Sequence, residues 1–146
     1  MDIKQYSMYD VISMKVINEL QEIIDAKNTL IKMNLILKEN IDNLDGDILY
    51  NDILSVLNKI ASKLSITLDD ETLIGIILHL AFTISRLKKG EPPVEFPNKD
   101  VFASKYIDTY KTIQEEIVFL FNKYNIEMSD NEIYYLISFL FHEQSS

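Results

Sequence analysis

Between Leu73 and Leu87 the apolar residues fall on almost every side of a helical wheel, and a helix apolar all round is normally surrounded by other helices. The stretch opens on Asp69, Asp70 and Glu71 and closes on Lys88, Lys89 and Gly90. That charge order suits the helix dipole, with glycine supplying a left-handed stop and Thr67 or Asp69 the N-cap. The pattern predicts a central helix with the other elements packed around it. Upstream, Leu44-Asp-Gly-Asp47 is a turn signal. It precedes a helix from about Ile48 to Leu64 that carries Leu49, Ile53, Val56, Leu57 and Ile60 on one side. Downstream, Glu91-Pro-Pro-Val-Glu-Phe-Pro97 is not helical, because proline removes donors and restricts the residue before it. It reads as an extended crossing of the domain surface. Asp100 to Tyr124 is expected as one helix, with Phe102, Tyr106, Ile113, Ile117, Leu120 and Phe121 on its apolar side. Ser129-Asp-Asn-Glu132 has the form of a capping box, Ser at the N-cap and Glu at N3, and opens a last helix bearing Ile133, Leu136, Ile137, Leu140 and Phe141.

Met8 to Ile41 reads as long helix, either unbroken or broken near Ala26 to Asn28. Val16, Leu20, Ile23, Leu30 and Leu37 form one stripe, Ile17, Ile24 and Ile31 a second beside it. Lys27 and Asn34 interrupt the first stripe where a coiled coil wants apolar residues. Unbroken, such a helix reaches ~50 Å, too long for one small bundle to cover. It is either a linker or dimer-forming arm, or two helices folded back onto the core. The expected architecture is all-α: an arm or linker over residues 1–45, and a helical bundle of four core helices over residues 46–146.

The 146 residues suffice for one domain and an appendage, and almost half are hydrophobic. A formal net charge of -9 argues against a nucleic-acid face, which needs clustered Lys and Arg. There is no cysteine, so disulfide and thiolate chemistry are excluded. No apolar run reaches the ~18 residues of a membrane span, and a signal-peptide pattern is missing, so a cytoplasmic location and no membrane partner are expected. Two histidines sixty-three residues apart make a metal site improbable, and the three glycines stand isolated rather than forming a phosphate cradle. No catalytic constellation is visible. No cofactor and no enzymatic activity are expected.

One polar ring, His79, interrupts the apolar run. Gly75 lies four residues before it, at a cost of roughly 1 kcal/mol against Ala within a helix, and Arg86 follows seven residues after it, near the same stripe. Helical side chains lean toward the N-terminus, which places His79 over the turn that Gly75 leaves bare. The plain reading is a packing histidine, a close helix contact and a C-terminal cation. The other reading is a receiver. Neutral imidazole is a nucleophile suited to reversible group transfer, and a phosphoryl group on it brings a charge near ~-2 into an apolar neighbourhood. Such a receiver needs no catalytic apparatus, since the donor protein carries it.

The segment Leu-Ile-Gly-Ile-Ile-Leu-His79-Leu-Ala-Phe-Thr-Ile-Ser-Arg86-Leu-Lys-Lys-Gly90-Glu-Pro-Pro resembles the first signature of the phosphotransferase-system regulation domain, or PRD. Ile126-Glu-Met-Ser-Asp-Asn-Glu132-Ile-Tyr-Tyr-Leu resembles the second, at a fitting distance. The resemblance covers roughly Ile48 to His142 and leaves the arm unexplained. It implies a compact PRD-like helical domain that commonly dimerises, found in bacterial regulators of sugar operons. Its histidines accept phosphate from HPr or the permease component EIIB. The His-Leu-Ala-Phe-x-Ile-x-Arg-Leu form and the Gly-Glu-Pro-Pro after it look closest to the C-terminal copy in LevR-type, enhancer-dependent activators. On that carry-over His79 is the phospho-acceptor, with Gly75 and Arg86 supporting the acceptor face; Arg86 is a phosphate partner or a dimer contact. Two positions depart from the pattern. Leu78 stands where many members have Asp, and Phe139 stands where many carry a second acceptor. His142, one turn on, is a secondary acceptor candidate, or simply a dipole partner near a helix end. The DNA- or RNA-binding and ATPase modules of such regulators are not in this sequence, which looks like a regulatory fragment. Two functions are therefore in play: a phosphorylation-controlled module of a transcription regulator, or a passive helical dimerisation or adaptor domain that is never phosphorylated.

Overall fold

A computed structural model describes residues 17, 18, 21 and 31–141. The chain divides into two compact units, Met1–Ile36 and Leu37–Ser146. Helix α1 is described over residues 31–40, and is followed by α2 (Gly46–Leu64), α3 (Asp70–Lys88), α4 (Lys99–Lys105), α5 (Ile107–Lys123) and α6 (Asp130–Leu140). No strand occurs among the described residues, and none of their helices is long and apolar enough to cross a membrane. The all-α expectation holds. The stripe positions Val16, Leu20, Ile23, Ile24, Lys27 and Leu30 lie outside the described residues.

Sequence chemistry explains where the helices start. Asp45 caps α2, its carboxylate accepting from the amides of Asp47 and Ile48 at 3.0 and 3.1 Å. Asp69 caps α3 by accepting from Thr72 N at 2.7 Å. Three of the stops share one device. Gly90, at φ +87°, follows α3, and the Glu91 amide reaches back to the Arg86 carbonyl at 3.1 Å while Gly90 N donates to Leu87 O. This is the Schellman closure, in which a left-handed residue turns two amides onto the last free carbonyls. The same backbone closure ends α2 at Ser65 (φ 54°) and α5 at Asn125 (φ 56°), with Ile66 N donating to Ala61 O and Ile126 N to Phe121 O.

Leu49, Ile53, Val56, Leu57 and Ile60 of α2 are buried, as their spacing predicts. They meet α5, which contributes Ile113, Ile117, Leu120 and Phe121, and α3, which contributes Ile76, Ile77, Leu80, Ala81 and Ile84. Helix α6 closes the other side of both α3 and α5. Two expectations need correcting. Helix α3 is not enclosed all round, since Leu73, Ile74, Leu78 and Phe82 are only half-buried. The single helix expected over Asp100 to Tyr124 is two helices, broken at Tyr106 (φ -124°, ψ 42°). The break lets α4 follow the rings of Phe96 and Phe141. Phe102 sets its edge against Phe96 at 5.0 Å, and Tyr106 stacks on Phe141 at 5.0 Å. Ser104, bonding back to the carbonyls of Asp100 and Val101, competes with the helical ladder just before the break.

Polar clamps fix the element ends. Asn43 and Ser85 bond reciprocally, Ser85 Oγ donating to Asn43 Oδ1 at 2.7 Å and Asn43 Nδ2 to the Ser85 carbonyl, while Lys89 pairs with Asp42 at 3.0 Å. These contacts hold the segment before α2 against the end of α3. At the end of α5, Asp52 of α2 accepts from Lys123 Nζ and from the Tyr124 hydroxyl, each at 2.6 Å. Burial first, then the bond to Asp52, pushes the Tyr124 phenol well above its ordinary ionisation. Burial also raises Tyr50, Tyr110, Tyr134 and Tyr135. The sign is definite. As pH rises through ~10 the unfolded chain releases phenolic protons that the folded chain still holds. Stability is therefore full below that range and is lost as pH climbs toward the folded values. Denaturant midpoints measured from about pH 8 to about pH 11 should fall, and fall less steeply in Tyr124→Phe. A midpoint flat across this range contradicts the account.

Candidate functional site

The first turn of α6 assembles the site. Ser129 Oγ accepts from the Asn131 amide at 3.2 Å and from Asn131 Nδ2 at 2.7 Å. Asn131 Oδ1 in turn accepts from the buried Phe96 amide at 2.9 Å, tying the extended crossing to the start of α6. That crossing runs without helix from Glu91 to Phe96, as its prolines require. With Asn131 fixed, the next side chain, Glu132, turns inward toward α3. Here the capping-box expectation fails in its second half: Ser129 caps as predicted, but the Glu132 carboxylate does not return to the N-cap. It meets His79 instead, Oε2 to Nε2 at 2.9 Å.

The pair is unequally buried. The Glu132 side chain is 1% exposed and that of His79 20%. A buried carboxylate needs a hydrogen-bonding partner, and this one has an imidazole edge. Its position in the first turn of a helix adds the favourable field of the N-terminal amides. The imidazole is held between two rings of α6, Tyr135 with centroids 5.0 Å apart and Phe139 at 5.6 Å, both tilted. Glu132, Tyr135 and Phe139 stand three and four residues apart, so one face of α6 supplies the carboxylate and both walls. The Tyr135 hydroxyl donates to the Glu95 carbonyl at 3.0 Å, a second tie between α6 and the crossing.

The clearing expected over Gly75 is occupied. A Cβ placed on Gly75 would lie 3.3 Å from Phe139 Cε1, so the glycine makes room for that ring rather than opening a path to His79. Any approach to the imidazole runs along its own exposed edge. Arg86 lies on the exposed surface of α3, and its Nη2 donates to Thr83 Oγ1 at 3.3 Å. Seven residues place it about 10 Å along the helix from His79. Its charge is felt at Tyr135, where it opposes the upward push of burial and of Glu132 on the phenol. His142 lies outside the described residues. Among the described residues no group of three or more His, Asp or Glu side chains converges to hold a metal ion.

Sequence reasoning singled out His79, Gly75 and Arg86, and missed Glu132, Tyr135 and Phe139 as its neighbours. The signal for Glu132 was present but pointed elsewhere, since the residue fits a capping box in sequence. The i, i+3, i+7 spacing of the α6 trio becomes informative only once α6 is known to lie on α3.

A family model described as PRD domain matches residues 54–143, more than half of the chain. No curated protein and no solved structure matches it.

The contact between Gly75 and Phe139 makes a prediction. Valine resembles glycine in its poor helix propensity, so Gly75→Val tests space rather than propensity. Its branches should push Phe139 off His79 at a cost of about 1–3 kcal/mol, read by denaturant unfolding. In a Phe139→Ala background the same substitution should cost clearly less, and the His79 ring protons should lose the ring-current shift that Phe139 imposes. Equal costs in both backgrounds would show that the ring is not what the glycine accommodates.

Proposed function

The chain belongs to the PRD domain family, a family of regulatory rather than catalytic domains, and on that premise we propose that it is a phosphorylation-controlled module of a bacterial transcription regulator. The acceptor is His79. The observation that carries this reading is the His79–Glu132 pair at 2.9 Å, a half-buried imidazole held in one orientation by a buried carboxylate. That arrangement presents one ring edge to an incoming phosphoryl donor, which suits a receiver that has no other catalytic group. The donor is a phosphorylated carrier of the sugar phosphotransferase system, HPr or EIIB, and the setting is the cytoplasm. The motif around His79 favours the enhancer-dependent activator branch.

Phosphorylation adds a charge near -2 at the seam between α3 and α6. The gain is felt at a contact that already contains a buried carboxylate, so it changes the balance of that face by repulsion, by desolvation or by drawing in a cation such as Arg86. The change is transmitted to attached parts of the regulator, or to a second copy. Exposed Ile31 (56%) and Leu35 (52%), one turn apart in the first unit, support a homodimer formed through the arm.

Incubation with phosphoenolpyruvate, enzyme I, HPr and EIIB should place acid-labile phosphate on the wild-type chain and none on His79→Ala, with Glu132→Gln reduced. Full labelling of His79→Ala removes the assignment. Sedimentation of the wild-type chain should show a dimer that Leu35→Asp converts to monomer with no loss of helicity. A wild-type chain that sediments as a monomer at every concentration tried refutes the arm as an interface.

A further inference from the structure

Two nitrogens of His79 are available in principle, and a phosphohistidine at one is a different chemical species from a phosphohistidine at the other. The structure distinguishes them. Nε2 is committed to Glu132 Oε2 at 2.9 Å. Among the described residues Nδ1 has no hydrogen-bond partner. Nor is it a buried orphan, because Asn34 Oδ1 is the one buried side-chain polar atom without a partner among them. The exposed part of the ring therefore includes Nδ1.

From this geometry, and resting on the reading of His79 as an acceptor, we infer that Glu132 is a positioning residue that makes Nδ1 the nitrogen that receives the phosphoryl group. An ionised carboxylate only accepts hydrogen bonds, so the proton between the pair is carried by Nε2. Carboxyl groups are ordinarily stronger acids than imidazolium. With the proton on Nε2, the neutral ring has its lone pair on Nδ1. Only that nitrogen is then both nucleophilic and reachable. Rotating the ring to exchange the two nitrogens would break the bond to a carboxylate that is 1% exposed, between the flanking rings of Tyr135 and Phe139. Attack through Nε2 would also set a phosphoryl dianion directly against Glu132.

The step balances without a further reactant. The Nδ1 lone pair attacks phosphorus of the donor's phosphohistidine, and the Nδ1–P bond forms as the donor's N–P bond breaks. The released electron pair returns to the donor's ring nitrogen. The His79 ring, now bearing Nδ1–P and Nε2–H, carries a positive charge that Glu132 faces at hydrogen-bond distance. A carboxylate holding one tautomer and then balancing the imidazolium is the part the aspartate plays in a serine-protease triad. Here it is used for group acceptance rather than hydrolysis.

The test uses the full chain with nitrogen-15 histidine, and His142→Gln as a second sample so that each ring is assigned. Long-range proton–nitrogen spectra of the resting protein should show His79 protonated on Nε2. After phosphorylation by the carriers, and separately by phosphoramidate as a small donor, phosphorus coupling should appear at Nδ1. In Glu132→Gln the side-chain amide can donate or accept, so the Nδ1 share should fall from nearly all product to roughly half. Thermal unfolding of that variant reports whether the fold is kept. Phosphorus on Nε2, or a resting tautomer protonated on Nδ1, overturns this inference and leaves His79 an acceptor. A Glu132→Gln product still entirely on Nδ1 removes the role of Glu132. Failure of the carriers to label His79 at all overturns the proposed function instead; the phosphoramidate product then still decides which nitrogen reacts.

Discussion

A carboxylate that is almost wholly removed from water is the constraint on which the arrangement of α3 and α6 depends. Glu132 could be left in the interior only with a hydrogen-bonding partner, and the His79 ring is that partner at 2.9 Å. Separating the two helices would strand a buried carboxyl group. The rest of the local structure serves to bring the pair into register. Ser129 stops the chain from continuing as loop, Asn131 anchors the new helix to Phe96, and Glu132 is left pointing at α3. Three polar residues of α6 and its cap, Ser129, Asn131 and Glu132, thus do different work within one turn. A helix start that would look generic by composition is a fitting between three segments of the chain.

Much of this fold could be read in advance because its signals were local. Asp45, Asp69 and Ser129 all cap as their residue types suggest, Gly90 takes the left-handed conformation, and the prolines of 91–97 exclude a helix. The misses came where tertiary contact outweighed local preference. Nothing in Phe102 to Ile107 forbids a continuous helix, yet the rings of Phe96 and Phe141 draw Phe102 and Tyr106 to their own side and the backbone yields at Tyr106. Ser65 and Asn125 adopt a conformation that favours glycine, so their closures carry no glycine signal to find. Gly75 was conspicuous as an interior glycine, but what fills the space beside it comes from a residue sixty-four positions later. Glu132 is the clearest case. Sequence gave it one plausible local partner, and the fold supplied a better one fifty-three residues away.

The two units present different surfaces. Within Leu37–Ser146 the segment before α2 is bound to the end of α3 through Asn43, Ser85, Asp42 and Lys89, so α3 has its C-terminal end secured on one side and His79 gripped on another. In Met1–Ile36 the described aliphatic residues Ile17, Ile31, Leu35 and Ile36 lie open to solvent, while Met33 is buried. The held imidazole and the exposed aliphatic residues of the arm thus belong to different units of the chain.

The crossing from Glu91 to Phe96 is fastened to α6 twice, by the Phe96 amide on Asn131 and by its Glu95 carbonyl on Tyr135. Those two fastenings flank Glu132 in sequence and make the strap and the helix a single mechanical piece. Any tilt of α6 therefore hauls the strap along with it, and residues 91–95 are all exposed. A neighbouring protein resting on that rim would register a disturbance of the ring-and-carboxylate seam as a displaced edge, without ever coming near the imidazole.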